Sequence, residues 1–130
     1  MTAVDTNVLV RLLTGDDPSQ AAVARSVFAA GRIWISKTVL LETAWVLRSL
    51  FDFDEGAVRM AFTGLLGLSG VEVEDEGAVS AALALAVQGV DFADAMHLAS
   101  RPHGCNFVTF DRAFVRRAKR AGAVGVTALP

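Results

Sequence analysis

The sequence predicts an α/β protein built on a parallel sheet with helices over both faces. Three observations lead there. Short apolar runs (Ala3-Val4, Ile33-Trp34-Ile35, Val71-Glu72-Val73, Phe107-Val108-Thr109) alternate with longer stretches whose apolar residues recur at helical spacing. Most of these runs are apolar on consecutive residues, as strands buried on both faces are. The 130 residues, 53% of them hydrophobic, suit one compact domain with a real core, so we expect a single domain spanning 1–130.

Ala3-Val4 is a short strand that meets Asp5-Thr6-Asn7, after which Val8, Leu9, Leu12 and Leu13 mark a helix. Asp16-Asp17-Pro18-Ser19 breaks the chain before an Ala/Val-rich helix from Gln20 to Ala30, stopped by Gly31. Ile33-Trp34-Ile35 is the second strand. The helix from Ser36 to about Ser49 is apolar nearly all round, which predicts burial on more than one side and places Trp45 in the core. Past Asp52-Phe53-Asp54 another helix presents Val58, Phe62, Leu65 and Leu66 and ends at Gly70. Phe51 and Phe53 flank that break and suit a partner surface.

Val71-Glu72-Val73 is the third strand, and Glu76 to Gln88 an alanine-rich helix with Val79, Leu83, Ala86 and Val87 inward. Asp91 to Ser100 is helical until Pro102 and Gly104 end it. Phe107-Val108-Thr109 is the fourth strand, Asp111 to Arg120 the last helix, and Val124 to Val126 a final short strand. Cys105 follows a turn and reads as a small buried residue.

Composition narrows the function. The lone Cys105 excludes an intrachain disulfide framework, and the absence of a leader-like start favours the cytoplasm. The longest uncharged stretch, Gly77 to Val90, falls short of the roughly 20 residues a membrane helix needs. A mean hydropathy of +0.46 predicts surface buried against another chain, in a homodimer or a complex. A net charge of −2 argues mildly against nucleic-acid binding.

In open parallel sheets, ligands bind beyond the carboxyl ends of the strands. Acids gather at those positions: Asp5 after the first strand, Asp111 after the fourth, and Asp91 with Asp94 at the head of a helix. Each could simply cap a helix, and Asp91 with Asp94 resembles a capping box. Glu42 is different, since it lies inside a helix among Thr38, Val39, Trp45 and Val46 with no neighbouring cation. Buried there, it would need a partner from elsewhere in the fold or a bound cation. Converging carboxylates repel one another, a conflict that a divalent ion removes, and hard oxygen ligands select Mg²⁺ or Mn²⁺ over Zn²⁺. The histidines, His97 and His103, are too few for zinc, and His97 suits a packing role.

Val4-Asp5-Thr6-Asn7-Val8-Leu9, Glu42 within Leu40-Leu41-Glu42-Thr43-Ala44-Trp45, Asp91-Phe92-Ala93-Asp94-Ala95-Met96-His97-Leu98-Ala99, and Val108-Thr109-Phe110-Asp111 together resemble the PIN-domain nucleases. Their closest likeness is to the VapC-type toxins of toxin–antitoxin systems. The resemblance implies a three-layer α/β/α sandwich and Mg²⁺- or Mn²⁺-dependent hydrolysis of single-stranded or structured RNA, with a cognate antitoxin and a homodimer as partners. It places the family's catalytic acids on Asp5, Glu42, Asp94 and Asp111, with Asp91 as a further metal-site acid. Asn7 matches a position supporting the first aspartate, and Thr109 the hydroxyl residue before the last. By the same resemblance the nucleophile is water and the product carries a 5′-phosphate.

Arg112, Arg116, Lys119 and Arg120 recur at helical spacing after Asp111, opposite Phe114, Ala118 and Ala121. Phosphate could lie along that row, with Arg112 and Arg116 nearest the acids, or the row could be a solvated helix face. Two other readings are weighed. A phosphatase of the haloacid-dehalogenase kind needs Asp-x-Asp where this chain has Asp5-Thr6-Asn7, and a receiver domain needs a lysine that neither Lys37 nor Lys119 supplies. A catalytically silent RNA-binding or scaffold module would use the acids only as caps, a role closed to Glu42.

Overall fold

The computed structural model describes residues 1–130, which form two compact units, Met1–Glu76 and Gly77–Pro130. In the first unit the order is β1 (Thr2–Ala3), α1 (Thr6–Thr14), α2 (Pro18–Ala30), β2 (Ile33–Ile35), α3 (Lys37–Leu50), α4 (Glu55–Leu66) and β3 (Val71–Val73). The strands form one parallel sheet in the order β1-β2-β3, with Ala3 opposite Trp34 and Ile35 opposite Val73. The central strand is apolar on every residue, and Ile33 and Ile35 are fully buried while Trp34 on the other face is half-buried. Leu9, Leu40, Leu47, Val58 and Phe62 complete this core.

Local chemistry sets the helix ends. Asp17, Ser36 and Asp54 each accept a backbone N–H of the following helix, and Pro18 opens α2 with the φ that a first turn requires. Gly15 closes α1 at φ 64°, a left-handed conformation that a side chain would strain. Arg48 pairs with Glu55 across the α3–α4 turn.

The second unit carries α5 (Glu76–Val87), α6 (Phe92–Ala99), β4 (Phe107–Thr109), α7 (Arg112–Arg120) and β5 (Val126–Ala128). β4 and β5 pair in parallel, Phe107 opposite Val126 and Thr109 opposite Ala128, with α7 as the crossover. The Phe107 and Phe114 rings meet at 5.6 Å and 58°, fastening α7 to β4. Phe114, Val115 and Ala118 form the buried stripe of α7. The α/β class and the parallel pairing agree with the sequence.

Several boundaries and burials differ. β1 is Thr2–Ala3, although the Val4 N–H still reaches the Trp34 carbonyl at 3.3 Å. The final strand is Val126–Ala128 rather than 124–126, because Gly122 and Gly125 hold a turn at φ 91° and 69° and leave Val124 exposed. α3 is buried along one stripe only (Leu40, Thr43, Ala44, Leu47), so Trp45 lies 63% exposed and outside the core. On α5 Val79 is buried as expected, but Val87 is exposed and Ala78 and Ala82 complete the stripe. Cys105 is exposed, on the turn itself rather than beneath it. No helix is long and apolar enough to cross a membrane.

Candidate functional site

In the first unit, Asp5 follows β1 and caps α1, accepting the Thr6 N–H at 2.8 Å. Thr6 opens α1 and is only 7% exposed. Its hydroxyl donates to the Glu42 carboxylate, which stands on α3. One threonine therefore ties together two acids from separate elements. They open on a cavity of about 460 Å³ that Asn7, Arg11 and Asp16 also line. Arg11 grips Asp16 through two bonds of 2.9 and 3.0 Å and donates to Gln20 as well. The Thr14 hydroxyl and then Arg11 hold the Asp16 carboxyl below its ordinary value. Neither Asp5 nor Glu42 joins an ion pair.

Two expectations change here. Glu42 is exposed, and its partner is the Thr6 hydroxyl, so burial among apolar residues gives no reason for a cation at this position. Its helical neighbours are mostly apolar, but Trp45 beside it is largely open to solvent. Asn7 lines the cavity without a hydrogen bond to Asp5; the residue that supports both acids is Thr6. Thr6 escaped the sequence reading because its bond spans 36 positions, and a threonine at a helix start has no distinctive local pattern.

In the second unit, Asp91 caps α6, accepting the Asp94 N–H at 3.3 Å, and Asp111 caps α7, accepting the Phe114 N–H at 2.9 Å. The Asp111 N–H donates to the Thr109 hydroxyl at 3.0 Å, so Thr109 steadies the link from β4 into α7. Asp94 is half-buried, and its carboxyl is raised above the ordinary 3.8, first by burial and then by the charges of Asp91 and Asp111; His97 and Arg117 offset this in part. His97 is exposed and so is not a packing residue. Arg112 and Arg116 are exposed on α7 and form no ion pair. Arg117, outside the row singled out in the sequence, is the α7 cation whose charge reaches Asp94.

In neither unit do three carboxylate, imidazole or thiol groups stand close enough to enclose an ion as they are placed. The donor chemistry nevertheless fits one. Every acid offers hard oxygens, and the charges of Asp91 and Asp111, which add to burial in raising Asp94, are what a divalent cation relieves.

In each unit, then, a strand of a parallel ladder leads into an acid at a helix head, which defines an α/β protein with carboxylates just past its strands. The PIN domain family matches residues 2–120, and the chain belongs to that family. PIN domains are typically metal-dependent nucleases. Comparison with curated proteins yields no match.

Proposed function

We propose that this PIN domain is an endoribonuclease that hydrolyses single-stranded or structured RNA with Mg²⁺ or Mn²⁺, and that it is the VapC-type toxin of a type II toxin–antitoxin pair, dimeric, cytoplasmic and restrained by a cognate antitoxin. In this reading residues 1–130 act as one domain. The observation that carries it is that Thr6 binds both Asp5 and Glu42, acids from separate elements, at one cavity of a chain that belongs to the PIN family, while Asp91 and Asp111 add their charges to burial in raising the Asp94 carboxyl.

Asp5, Glu42, Asp94 and Asp111 would be the acids that hold metal, and Asp91 would assist. When bound, such ions lower the pKa of water and stabilise charge on the phosphate and the leaving oxygen. The chain's own residues set the geometry. Thr6 holds Glu42 toward Asp5, Thr109 fixes the backbone of Asp111, and Arg112 and Arg116 draw in the phosphate backbone. Water adds to phosphorus, the 3′-oxygen departs with a proton, and the 5′-phosphate remains on the other fragment.

A silent RNA-binding or scaffold module has one observation in its favour, that Asp5, Asp91 and Asp111 are genuine helix caps. One assay separates the two. A panel of single-stranded RNAs is incubated with Mg²⁺ or Mn²⁺ and the parent chain, the Asp5→Asn variant, or the parent with chelator. Only the first cleaves under the nuclease reading. Equal activity in all three removes the metal, and activity in none, with RNA still bound, leaves the binding module.

A further inference from the structure

Phe110 is the most exposed aromatic side chain of the chain, at 75%, and no packing accounts for it. The link that carries it is fixed at both ends. Phe107 packs on Phe114, the Thr109 hydroxyl accepts the Asp111 N–H, and the Asp111 carboxylate accepts the Phe114 N–H. The ring thus stands on a short, braced connection rather than a floppy loop. Val108, two positions earlier, is exposed as well, at 56%. Directly after it α7 presents Arg112, Arg116, Lys119 and Arg120, all exposed and none in an ion pair. A preorganised aromatic face beside unpaired cations is the combination that holds single-stranded nucleic acid, bases on the ring and phosphates on the guanidinium groups.

We propose that Phe110 is a base-stacking subsite, on which a nucleobase of single-stranded RNA next to the cleaved phosphate lies flat while Arg112 and Arg116 hold its backbone. The subsite tolerates any base, since every base has a π-face, and it selects for unpaired RNA because a base inside a duplex cannot reach the ring. This rests on the nuclease reading and adds to it a contact with the base beside the reacting phosphate.

The test compares Phe110 with Phe110→Leu and Phe110→Trp, each in the cleavage-deficient Asp5→Asn background, against a single-stranded RNA carrying 2-aminopurine. Binding to Phe110 and to the Trp variant quenches the fluorophore. The Leu variant loses the quench and binds on the order of tenfold more weakly. An abasic nucleotide at the stacked position removes that difference between Phe and Leu. In the active chain, Phe110→Leu raises KM more than it lowers kcat, and its Tm matches the parent because the ring supports no core. Leu binding and quenching like Phe overturns the subsite, and so does an altered oligomeric state with RNA binding unchanged, which puts the ring in a contact between chains. If the parent cleaves RNA and Phe110→Leu is indistinguishable from it, only the stacking fails. If the parent neither binds nor cleaves RNA, the nuclease reading fails as well.

Discussion

Asp94 is the acid whose surroundings most oppose its charge, through burial and then through Asp91 and Asp111. A carboxyl raised in the fold takes up its proton more readily folded than unfolded. Its contribution to stability is therefore present below the unfolded value and is lost as pH rises through the folded one. At neutral pH the ionised side chain weakens the metal-free protein. Asp94→Asn should raise the Tm in chelator at pH 7, by a few degrees at most for a half-exposed group, with the gain shrinking as the pH is lowered through the carboxyl range. Thermal melts by circular dichroism at both pH values check this, and the variant should lose metal-dependent cleavage. Spacing made Asp94 visible as an acid one turn from Asp91 at the head of a helix, and the family resemblance supplied its role. The Glu42 environment was not visible: the helical pattern names its apolar neighbours but says nothing of whether anything covers them.

Three helices begin at an aspartate of the proposed site, so one carboxylate both starts an element and faces the chemistry. The two roles separate by choice of substitution. Asparagine caps a helix about as well as aspartate, whereas alanine gives up about 1 kcal/mol. Asp111→Ala should lower the unfolding free energy measured by denaturant titration by that amount and Asp111→Asn by only a few tenths of a kcal/mol, while both abolish cleavage. A variant with Asn that retained full activity would confine Asp111 to capping. Elements were legible where a period and a stop signal agreed, as in β2, β4 and α7. The sequence misjudged α3, whose all-round apolar character is divided between a buried stripe and the exposed Trp45 and Leu50. It also misplaced β5, whose start is set by the positive φ of Gly125 rather than by the valines before it.

At the scale of the whole chain, the alternation of short apolar runs with helical stretches indicated a parallel α/β protein and mean hydropathy a surface with apolar surplus, which Trp45, Leu50 and Met60, each more than 60% exposed, exemplify in the first unit. Which partner covers them lies outside any pattern of residue types, since it depends on a second molecule's shape. The second unit has a different dependence. The family match stops at residue 120, yet β4 has β5 as its neighbour in the ladder, and beyond β5 the Leu129 N–H reaches the Thr109 carbonyl at 2.8 Å. A protein shortened to end at Arg120 would leave β4 an open edge and would strip the buried Val126 from beneath α7. We expect such a chain to melt with low cooperativity, yield readily to protease and self-associate, as calorimetry and limited digestion would register. Residues 121–130 thus act as a clasp on the second unit, and any fusion that replaced them would leave β4 without its neighbour.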